Sequence, residues 1–309
     1  EPQQLTRFII RDPKTRTIHA SAFIDRVVYH AIVNILEPIF EKSFIYNSYA
    51  SRKGKGTHKA LLRLDEFIRK VSKNGKLVDS AYDNNQIIGY AFKADIKKYF
   101  DNVDQDILLS IIKRKIKDEQ VIWLIKKILS NFEMEQEGKG MPLGNLTSQF
   151  FANVYLTQLD YFVKYKLKAK YYLRYVDDFI ILHQDKSVLV AYKENIQNYL
   201  TYLKLELHPE KSKILALRNG ITFVGYSVFY HYKLLRKSNK RAFEKVFENK
   251  ICSYTKGLLT KEDLTNFLEG WFGYAQWADT YNYRNEILSR FEREKIPEDR
   301  IISQKHRKA

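Results

Sequence analysis

The feature that most constrains the fold is a pair of adjacent acids between two apolar runs. Asp177 and Asp178 follow the mainly apolar residues 171–176 and precede the apolar residues 179–182. Two short apolar runs joined by turn-forming residues predict an antiparallel hairpin with the acids at its tip. Two like charges at such a tip repel each other, and a bound cation would offset that repulsion. A plain Asp–Asp turn is the alternative, because aspartate favours turns.

A third acid ends a separate apolar segment. Residues 87–96 predict a strand that reaches Asp95 near its end. If this strand lies beside the hairpin, its carboxylate joins the other two at one edge of a sheet. Three such carboxylates can hold two Mg²⁺ ions about 3.5–4 Å apart, a site suited to phosphoryl transfer. The alternative for Asp95 is a helix N-cap.

The charge balance indicates a polyanionic partner. The chain has 309 residues, with 53 Lys or Arg against 36 Asp or Glu, for a net charge of +17. Nucleic acid is the partner that such a charge favours, whereas an anionic membrane surface or a solvated basic surface is the alternative. A single cysteine, Cys252, excludes an internal disulfide and a cysteine-based zinc site, which fits a reducing cytoplasm. Without a signal pattern or a long apolar run, we expect a cytoplasmic protein and no membrane partner.

The remaining patterns predict a mixed α/β region followed by a helical region, with the break near residues 231–238. Strands are predicted as a pair within 8–23 around a turn at 12–15, and at 87–96, 171–176, 179–182, 213–217 and 221–230, with Gly220 at a turn. Helices are predicted at 27–40 (capped by Asp25), 104–117, 119–132, 148–167 and 185–203, and throughout the segment from Ser238 to a charged tail after Glu292. Residues 74–88 and 133–144 are predicted to be loops.

With these residues in place, the chain resembles reverse transcriptases. The Y-V-D-D sequence at 175–178 matches the family's Y-x-D-D signature, and Asp95 with Tyr99 and Phe100 matches its first aspartate motif. Residues 140–149, 207–212 and 223–226 resemble, in order, its glycine turn, its lysine motif and its primer-grip hairpin. The order and spacing hold from about residue 7 to residue 280, so the match covers nearly the whole chain.

The resemblance implies an RNA-directed DNA polymerase with a right-hand α/β fold. Fingers are expected at 1–90 and 113–147, a palm with an antiparallel sheet at 91–112 and 148–232, and a helical thumb with a charged tail at 233–309. The implied cofactor is a pair of Mg²⁺ ions, with Mn²⁺ as a possible substitute. The implied metal ligands are Asp95, Asp177 and Asp178, which are also the catalytic residues, and Ile96.

The resemblance also implies nucleotide-binding and nucleic-acid-binding residues. Phe100 matches the steric gate that excludes a ribose 2′-hydroxyl, and the other implied nucleotide contacts are Arg11, Arg16, Leu143, Gly144, Gln149 and Lys211. The expected nucleic-acid contacts are Arg52, Lys53, Lys55, Gly225, Lys237, Lys240 and Arg241. Each has a plainer alternative, such as a core Phe, a solvated basic turn or a loop leucine. The implied partners are an RNA template, a DNA or RNA primer with its cDNA, and dNTPs.

Within the family, Leu143, Gly144, Ser148 and Gln149 resemble the pattern of diversity-generating retroelements rather than that of introns or retrons. That subtype implies errors opposite template adenines, a small basic oligomeric accessory protein, and a bacterial, archaeal or phage origin. Other bacterial or phage reverse transcriptases (retron-like, intron-like or anti-phage) remain alternatives. An RNA-dependent RNA polymerase and a non-catalytic RNA-binding scaffold are the two further alternatives.

Overall fold

The structure is a computed structural model that describes residues 1–11, 15–77, 87–132 and 137–293. The chain divides into two compact units, Glu1–Leu217 and Arg218–Ala309. The sheet with the predicted catalytic strands lies in the first unit, and the predicted primer-grip hairpin lies in the second. The expected boundaries of fingers, palm and thumb stay predictions, because these units follow a different division.

The first unit begins with a hairpin and two long helices. Strands β1 (Thr6–Ile10) and β2 (Arg16–Ala20) pair antiparallel. They are followed by α1 (Phe23–Glu41) and α2 (Thr57–Val71). The turn predicted at 12–15 falls largely outside the described residues, as does most of the loop predicted at 74–88.

A four-stranded antiparallel sheet organises the rest of the unit. Its strands are β3 (Tyr90–Ala94), β4 (Tyr171–Tyr175), β5 (Asp178–His183) and β6 (Lys213–Ala216), in the spatial order β4-β5-β3-β6. The helices between these strands are α3 (Tyr99–Asn102), α4 (Gln105–Lys113), α5 (Glu119–Ser130), α6 (Leu146–Tyr161) and α7 (Lys186–Tyr202).

Helices cover both faces of this sheet. Tyr172 and Phe179 point into the large core cluster that includes α6 and α7. The neighbouring Tyr171 points the other way, since side chains alternate along a strand, and its ring meets Phe67 of α2 edge-on, with ring centroids 5.3 Å apart. The strand ends are therefore held by packing on two sides, which fixes the sheet edge where the acids lie.

The second unit is a small sheet with three helices. Strands β7 (Ile221–Phe223), β8 (Tyr226–Val228) and β9 (Lys233–Leu235) form an antiparallel meander. Helices α8 (Lys237–Thr255), α9 (Lys261–Ala275) and α10 (Tyr281–Arg293) follow. Phe243 and Trp271 stack with ring centroids 3.7 Å apart, in a cluster that joins the three helices. Among the residues described, no helix is long and apolar enough to span a bilayer.

Several element predictions need correction. Helix α1 begins at Phe23, so Asp25 lies in its first turn rather than at the cap, where its carboxylate accepts a hydrogen bond from the Gln3 amide. The strand predicted at 221–230 is two strands, because Val224 and Gly225 adopt left-handed backbone and reverse the chain. The helix predicted to reach 167 ends at Tyr161 and continues as a π turn, Phe162–Lys166. Helix α2 was not predicted. The tail after Arg293 lies outside the described residues.

Candidate active site

The register of the sheet brings the three predicted aspartates to one edge. Strand β3 pairs with β5 so that Ala94 lies opposite Phe179. Continuing this antiparallel register by one residue places Asp95 opposite Asp178, and Asp177 is the turn residue directly before Asp178. The prediction from separate apolar runs is therefore consistent with the observed strand pairing.

Asp95 is fixed on its other side by the chain that leads into β6. The Asp95 carbonyl accepts a hydrogen bond from the His208 amide at 2.7 Å. Ile96 forms an antiparallel bridge with Leu207. This bridge is of the non-hydrogen-bonded kind, because the flanking bonds join Lys97 to Glu206 and His208 to Asp95. The peptide groups of Ile96 therefore point away from Leu207, toward the side where Asp177 lies.

The three acids are close enough for their charges to act on one another. Burial, and then the charges of Asp178 and Asp95, raise the pKa of Asp177 to about 6. Lys211 approaches the Asp95 carboxylate to 3.2 Å. Among the described residues, no group of three acids, histidines or cysteines already has the spacing of a metal cluster. The donors nevertheless fit a hard divalent cation, since carboxylate and carbonyl oxygens are the ligands that Mg²⁺ prefers.

A buried ion pair lies beneath the hairpin tip. Arg174 and Asp160 are both fully buried, and their side chains meet in two parallel hydrogen bonds of 2.8 and 2.7 Å. Tyr172 donates to the same carboxylate at 2.6 Å. Arg174 also donates to the Val176 carbonyl at 2.9 Å. Val176 has a φ of +55°, which a β-branched residue rarely adopts. The guanidinium thus supports the strained residue that precedes the two acids.

Sequence reasoning missed this pair. The available signal was a charged residue within each of two apolar segments, Arg174 in a strand and Asp160 in a helix. A buried Arg requires a buried acid, but the sequence alone did not show which acid it meets. Tyr175 was quoted only as part of a motif, and its hydroxyl lies 3.0 Å from the Thr57 hydroxyl at the start of α2.

The glycine turn predicted to lie near the nucleotide is joined to the neighbouring motifs. The Met141 amide donates to the Phe100 carbonyl at 2.8 Å, and the His19 amide donates to the Leu143 carbonyl at 2.9 Å. Gly144 has a φ of +118°, and a Cβ there would lie 2.8 Å from the Ile18 side chain. The turn is therefore held between the first aspartate motif and the β1–β2 hairpin, and Gly144 is required for both conformation and space.

The residues predicted to contact the triphosphate and the base lie on several different elements. Arg11 and Arg16 are exposed at the turn end of the β1–β2 hairpin. The half-buried Phe100 ring meets Tyr99 edge-on, with ring centroids 5.5 Å apart. The side-chain oxygen of Gln149 accepts a hydrogen bond from Ser51 at 3.1 Å. Their roles toward a nucleotide stay predictions.

The nucleic-acid contact predicted at Arg52 stays a prediction, and the Arg52 side chain has several partners within the chain. The Arg52 side chain is only 5% exposed and pairs with Glu41. It also donates to the carbonyls of Ile45 and Ser48, at 2.7 Å each. This guanidinium stabilises the loop between α1 and α2, and a phosphate contact by Arg52 would have to compete with these partners. By contrast, the Lys53 side chain is 86% exposed, with Glu37 as its partner at 3.0 Å.

The ammonium group of Lys55 is in contact with the ring and the carbonyl of Tyr46. Its ammonium lies 3.4 Å from the ring centroid of Tyr46 and donates to that residue's carbonyl at 2.8 Å. Burial lowers the pKa of Lys55, and the nearby Arg52 charge lowers it further. A phosphate contact by Lys55 would have to compete with these interactions.

The remaining predicted contacts lie in the second unit. Gly225 has a φ of +95°, and a Cβ there would lie 2.8 Å from the Tyr274 hydroxyl, which donates to the Gly225 carbonyl. Lys237 and Arg241 are exposed on α8. The Lys240 ammonium lies over the Tyr283 ring, 3.8 Å from its centroid. A functional contact for these residues stays a prediction.

Comparisons with known proteins agree with this geometry. Residues 11–228 match the sequence profile of the family described as reverse transcriptase (RNA-dependent DNA polymerase). Protein YkfC of Escherichia coli K12 is 24% identical over 265 residues, which cover 74% of this chain and 65% of that protein. The group II intron-encoded protein LtrA of Lactococcus lactis is 30% identical over 178 residues, which cover 55% of this chain and 27% of that protein.

Solved structures with a similar fold include two telomerases. Apo telomerase from Candida tropicalis superimposes with a TM-score of 0.56 and 16% identity, covering 74% of this chain and 48% of that one. Telomerase from Candida albicans, in complex with an RNA fragment, gives a TM-score of 0.55 and 11% identity, covering 87% of this chain and 52% of that one. The predicted right-hand polymerase fold is confirmed by this likeness.

The chain spans less than two thirds of the length of each of these four proteins. The family match, however, includes both strands of the aspartate hairpin, the strand beside it and the glycine turn. This protein therefore belongs to the reverse transcriptase (RNA-dependent DNA polymerase) family.

Proposed function

We propose that this chain is an RNA-directed DNA polymerase that extends a primer with dNTPs along an RNA template. The observation that carries the proposal is the meeting of Asp95, Asp177 and Asp178 at one sheet edge, where the pKa of Asp177 rises to about 6. Carboxylates that destabilise one another in this way form a site that a divalent cation would complete.

The proposed metal ligands are the three carboxylates and the Ile96 carbonyl, and the proposed ions are two Mg²⁺, which Mn²⁺ could replace. Such ions, when bound, activate the attacking hydroxyl and neutralise the triphosphate and the leaving pyrophosphate. The protein must then hold the carboxylates in place. The Arg174 bond to the Val176 carbonyl and the His208 bond to the Asp95 carbonyl supply that support.

Other side chains act on the incoming nucleotide in this proposal. Arg11 and Arg16 bind the triphosphate, because a planar guanidinium can grip phosphate through two hydrogen bonds. Lys211 leaves Asp95 when cations bind there, and then serves as a proton donor to pyrophosphate. Phe100 excludes a 2′-hydroxyl through its bulk, which selects dNTPs over rNTPs.

Primer extension on an RNA template in Mg²⁺ tests the proposal. The intact chain and a doubly substituted Asp177→Ala/Asp178→Ala chain are offered dNTPs or rNTPs. We expect extension with dNTPs only, and only from the intact chain, whereas Phe100→Ala should admit rNTPs. If a folded intact chain gives no extension on several RNA templates, or if the double variant extends equally, the polymerase assignment is wrong.

The error-prone subtype is a finer proposal. The segment that contains Leu143 and Gln149 resembles that of diversity-generating retroelements, and an apolar Leu143 near the template base would weaken the geometric check on pairing. A small basic oligomeric protein is the partner that this subtype would add. Sequencing of the cDNA decides the point, because errors concentrated opposite template adenines are expected and evenly rare errors would contradict the subtype.

A second candidate is an intron-type enzyme that copies RNA accurately. It is favoured by the similarity to the group II intron-encoded protein LtrA. The same cDNA sequencing distinguishes the two, since an intron-type enzyme would give few errors at adenines.

A further inference from the structure

An exposed tryptophan lines two hollows on the first unit, neither of which is lined by the three aspartates. The first hollow, of about 510 Å³, lies between the end of α4 and the start of α5. The second, of about 660 Å³, lies along the outer side of α5. Trp123 lines both hollows, and it is 60% exposed. Both volumes are within the roughly 300–1,000 Å³ range of ligand sites.

The first hollow has an apolar floor and a basic rim. Its floor contains Ile116 and Ile122, each 8% exposed. Its rim carries Lys113, Lys117 and Lys126, and Glu119 is its one acidic lining residue. Within the described part of the chain, none of these three lysines forms an ion pair.

The surrounding segment has an excess of positive charge. Residues 111–130 contain six Lys or Arg and two acids. Lys127, on the same helix, lies 6.0 Å from the centroid of the Trp123 ring. Lys127 pairs with Glu1 at 3.3 Å, whereas the other cations of the segment repel one another at low salt. An anion placed among them would relieve that repulsion.

The ligand that uses all of these features is unpaired nucleic acid. Its phosphates complement the lysines, and its base can stack on the indole, a contact that is open to any base. A duplex offers phosphates but hides the faces of its bases, so it would not use Trp123. An acidic protein segment would use the lysines and would leave the aromatic face without a matching group.

The two hollows that meet at Trp123 are together called the groove. We propose that this groove binds an unpaired stretch of RNA, with a base stacked on Trp123 and phosphates on Lys113, Lys117 and Lys126. The groove shares no residue with the candidate active site, so it would hold RNA outside the site of synthesis. It would tether a template through a single-stranded segment. The proposal does not require that the chain catalyse DNA synthesis, and its test can fail independently of that assignment.

Tryptophan fluorescence of the full chain gives the most specific readout. Short oligouridylate is titrated into the intact chain and into Trp123→Phe, in which Trp271 and Trp277 remain as reference fluorophores. We expect quenching in the intact chain and loss of more than half of that quenching in Trp123→Phe. Equal quenching in both proteins would overturn the proposal, because the base would then be stacking elsewhere.

Charge reversal tests the lysines. Lys113→Glu/Lys117→Glu should weaken oligouridylate binding at least tenfold and reduce its dependence on salt. The control Lys73→Glu/Lys186→Glu makes the same charge change at exposed positions that do not line the groove, and it should leave binding within about twofold of the intact chain. An equal loss in both double variants would reduce the effect to net charge and overturn the proposal.

Competition separates the possible occupants. Unlabelled single-stranded RNA should displace fluorescein-labelled oligouridylate from the chain, whereas duplex RNA of matched charge or polyglutamate should neither displace it nor quench Trp123. If the duplex quenches Trp123 as strongly, the single-strand assignment is wrong. If polyglutamate does so, the groove is a protein-docking site.

Discussion

Asp160 and Asp177 are two acids of the same unit with opposite surroundings. Asp160 is fully buried, and its oxygens accept hydrogen bonds from Arg174 and Tyr172. Asp177 lies beside two further acids, and its pKa is raised to about 6. The comparison shows that the sign of the neighbouring charges determines whether a buried acid is stabilised, more than their number does. An acid whose partner is a protein cation stabilises the fold, whereas an acid beside other acids would be stabilised by a cation from solution.

The largest expected effect is on primer extension, and it comes from replacing Asp177, the acid that lies beside other acids. Asp177→Asn should slow primer extension roughly 10⁴-fold, which corresponds to about 5 kcal/mol of lost transition-state stabilisation. The melting temperature should stay level or rise, because a repulsive charge is lost. Single-turnover extension and calorimetry check both parts. Asp106→Asn, at an exposed position on α4, is the control and should retain full activity.

Replacing Asp160, the acid that is paired with an arginine, should instead destabilise the fold. Asp160→Asn leaves the guanidinium of Arg174 buried without its charge partner, and should cost about 3–5 kcal/mol of unfolding free energy. Urea denaturation measures this loss. The double change Asp160→Leu/Arg174→Met should recover much of it, because neither charge then remains buried. A loss below about 1 kcal/mol in Asp160→Asn would show that the pair is not structural.

The charge of Asp177 should also make the stability of the fold depend on pH. The pKa of Asp177 in the folded chain, about 6, lies above its ordinary value of 3.8. Its contribution to stability is therefore fully present below about pH 4, and is lost as the pH rises through 6. Without divalent cations, the loss should be at most about 2–3 kcal/mol. Denaturation between pH 4 and 7 should show this loss in the intact chain but not in Asp177→Asn.

The rate of primer extension should depend on pH in the opposite direction to stability. Protonated Asp177 cannot bind a cation, so extension should fall as the pH drops below about 6, and higher Mg²⁺ should move that midpoint to lower pH. A midpoint that ignores Mg²⁺ would indicate that some other group controls the profile.

Asp95 combines both kinds of surroundings, because it lies beside other acids and also near the cation Lys211. The smallest effect on stability is expected from breaking this ion pair. Its partner Lys211 is 47% exposed, and the two groups lie 3.2 Å apart. An exposed ion pair contributes about 0–1 kcal/mol, so Lys211→Met should barely change the unfolding free energy. If Lys211 donates a proton to pyrophosphate, the same change should slow extension by ~10²-fold or more. A slowing below about threefold would leave Lys211 as surface charge.

The part of the site that could be predicted from sequence depends on local patterns. Asp95, Asp177 and Asp178 each follow an apolar strand pattern, so their meeting could be expected once the strands were taken as neighbours. The Arg174–Asp160 pair joins two elements whose relative placement no local pattern records. The buried ion pair of Arg52 with Glu41 was likewise not predictable, because the charge of an arginine does not show which acid it meets in the fold.

The fold was predictable to a similar degree. Apolar periodicity identified most strands of the sheet and the helices that pack on it. The division of residues 221–230 was missed, because Val224 adopts its left-handed conformation next to Gly225, whose place is set by contact with Tyr274. Such a turn is imposed by tertiary packing, and the β-branched valine gives no local sign of it.

Cation binding tests the contrast between the two acids most directly. Mn²⁺ is titrated into the complex of the chain with primer–template and an incoming dNTP, with a dideoxy-terminated primer to prevent synthesis, and bound Mn²⁺ is measured by electron paramagnetic resonance. The account predicts that Asp177→Asn weakens Mn²⁺ binding at least tenfold, whereas Tyr172→Phe, which alters only the Asp160 cluster, leaves it unchanged. Equal Mn²⁺ affinity in the intact chain and in Asp177→Asn would contradict the account.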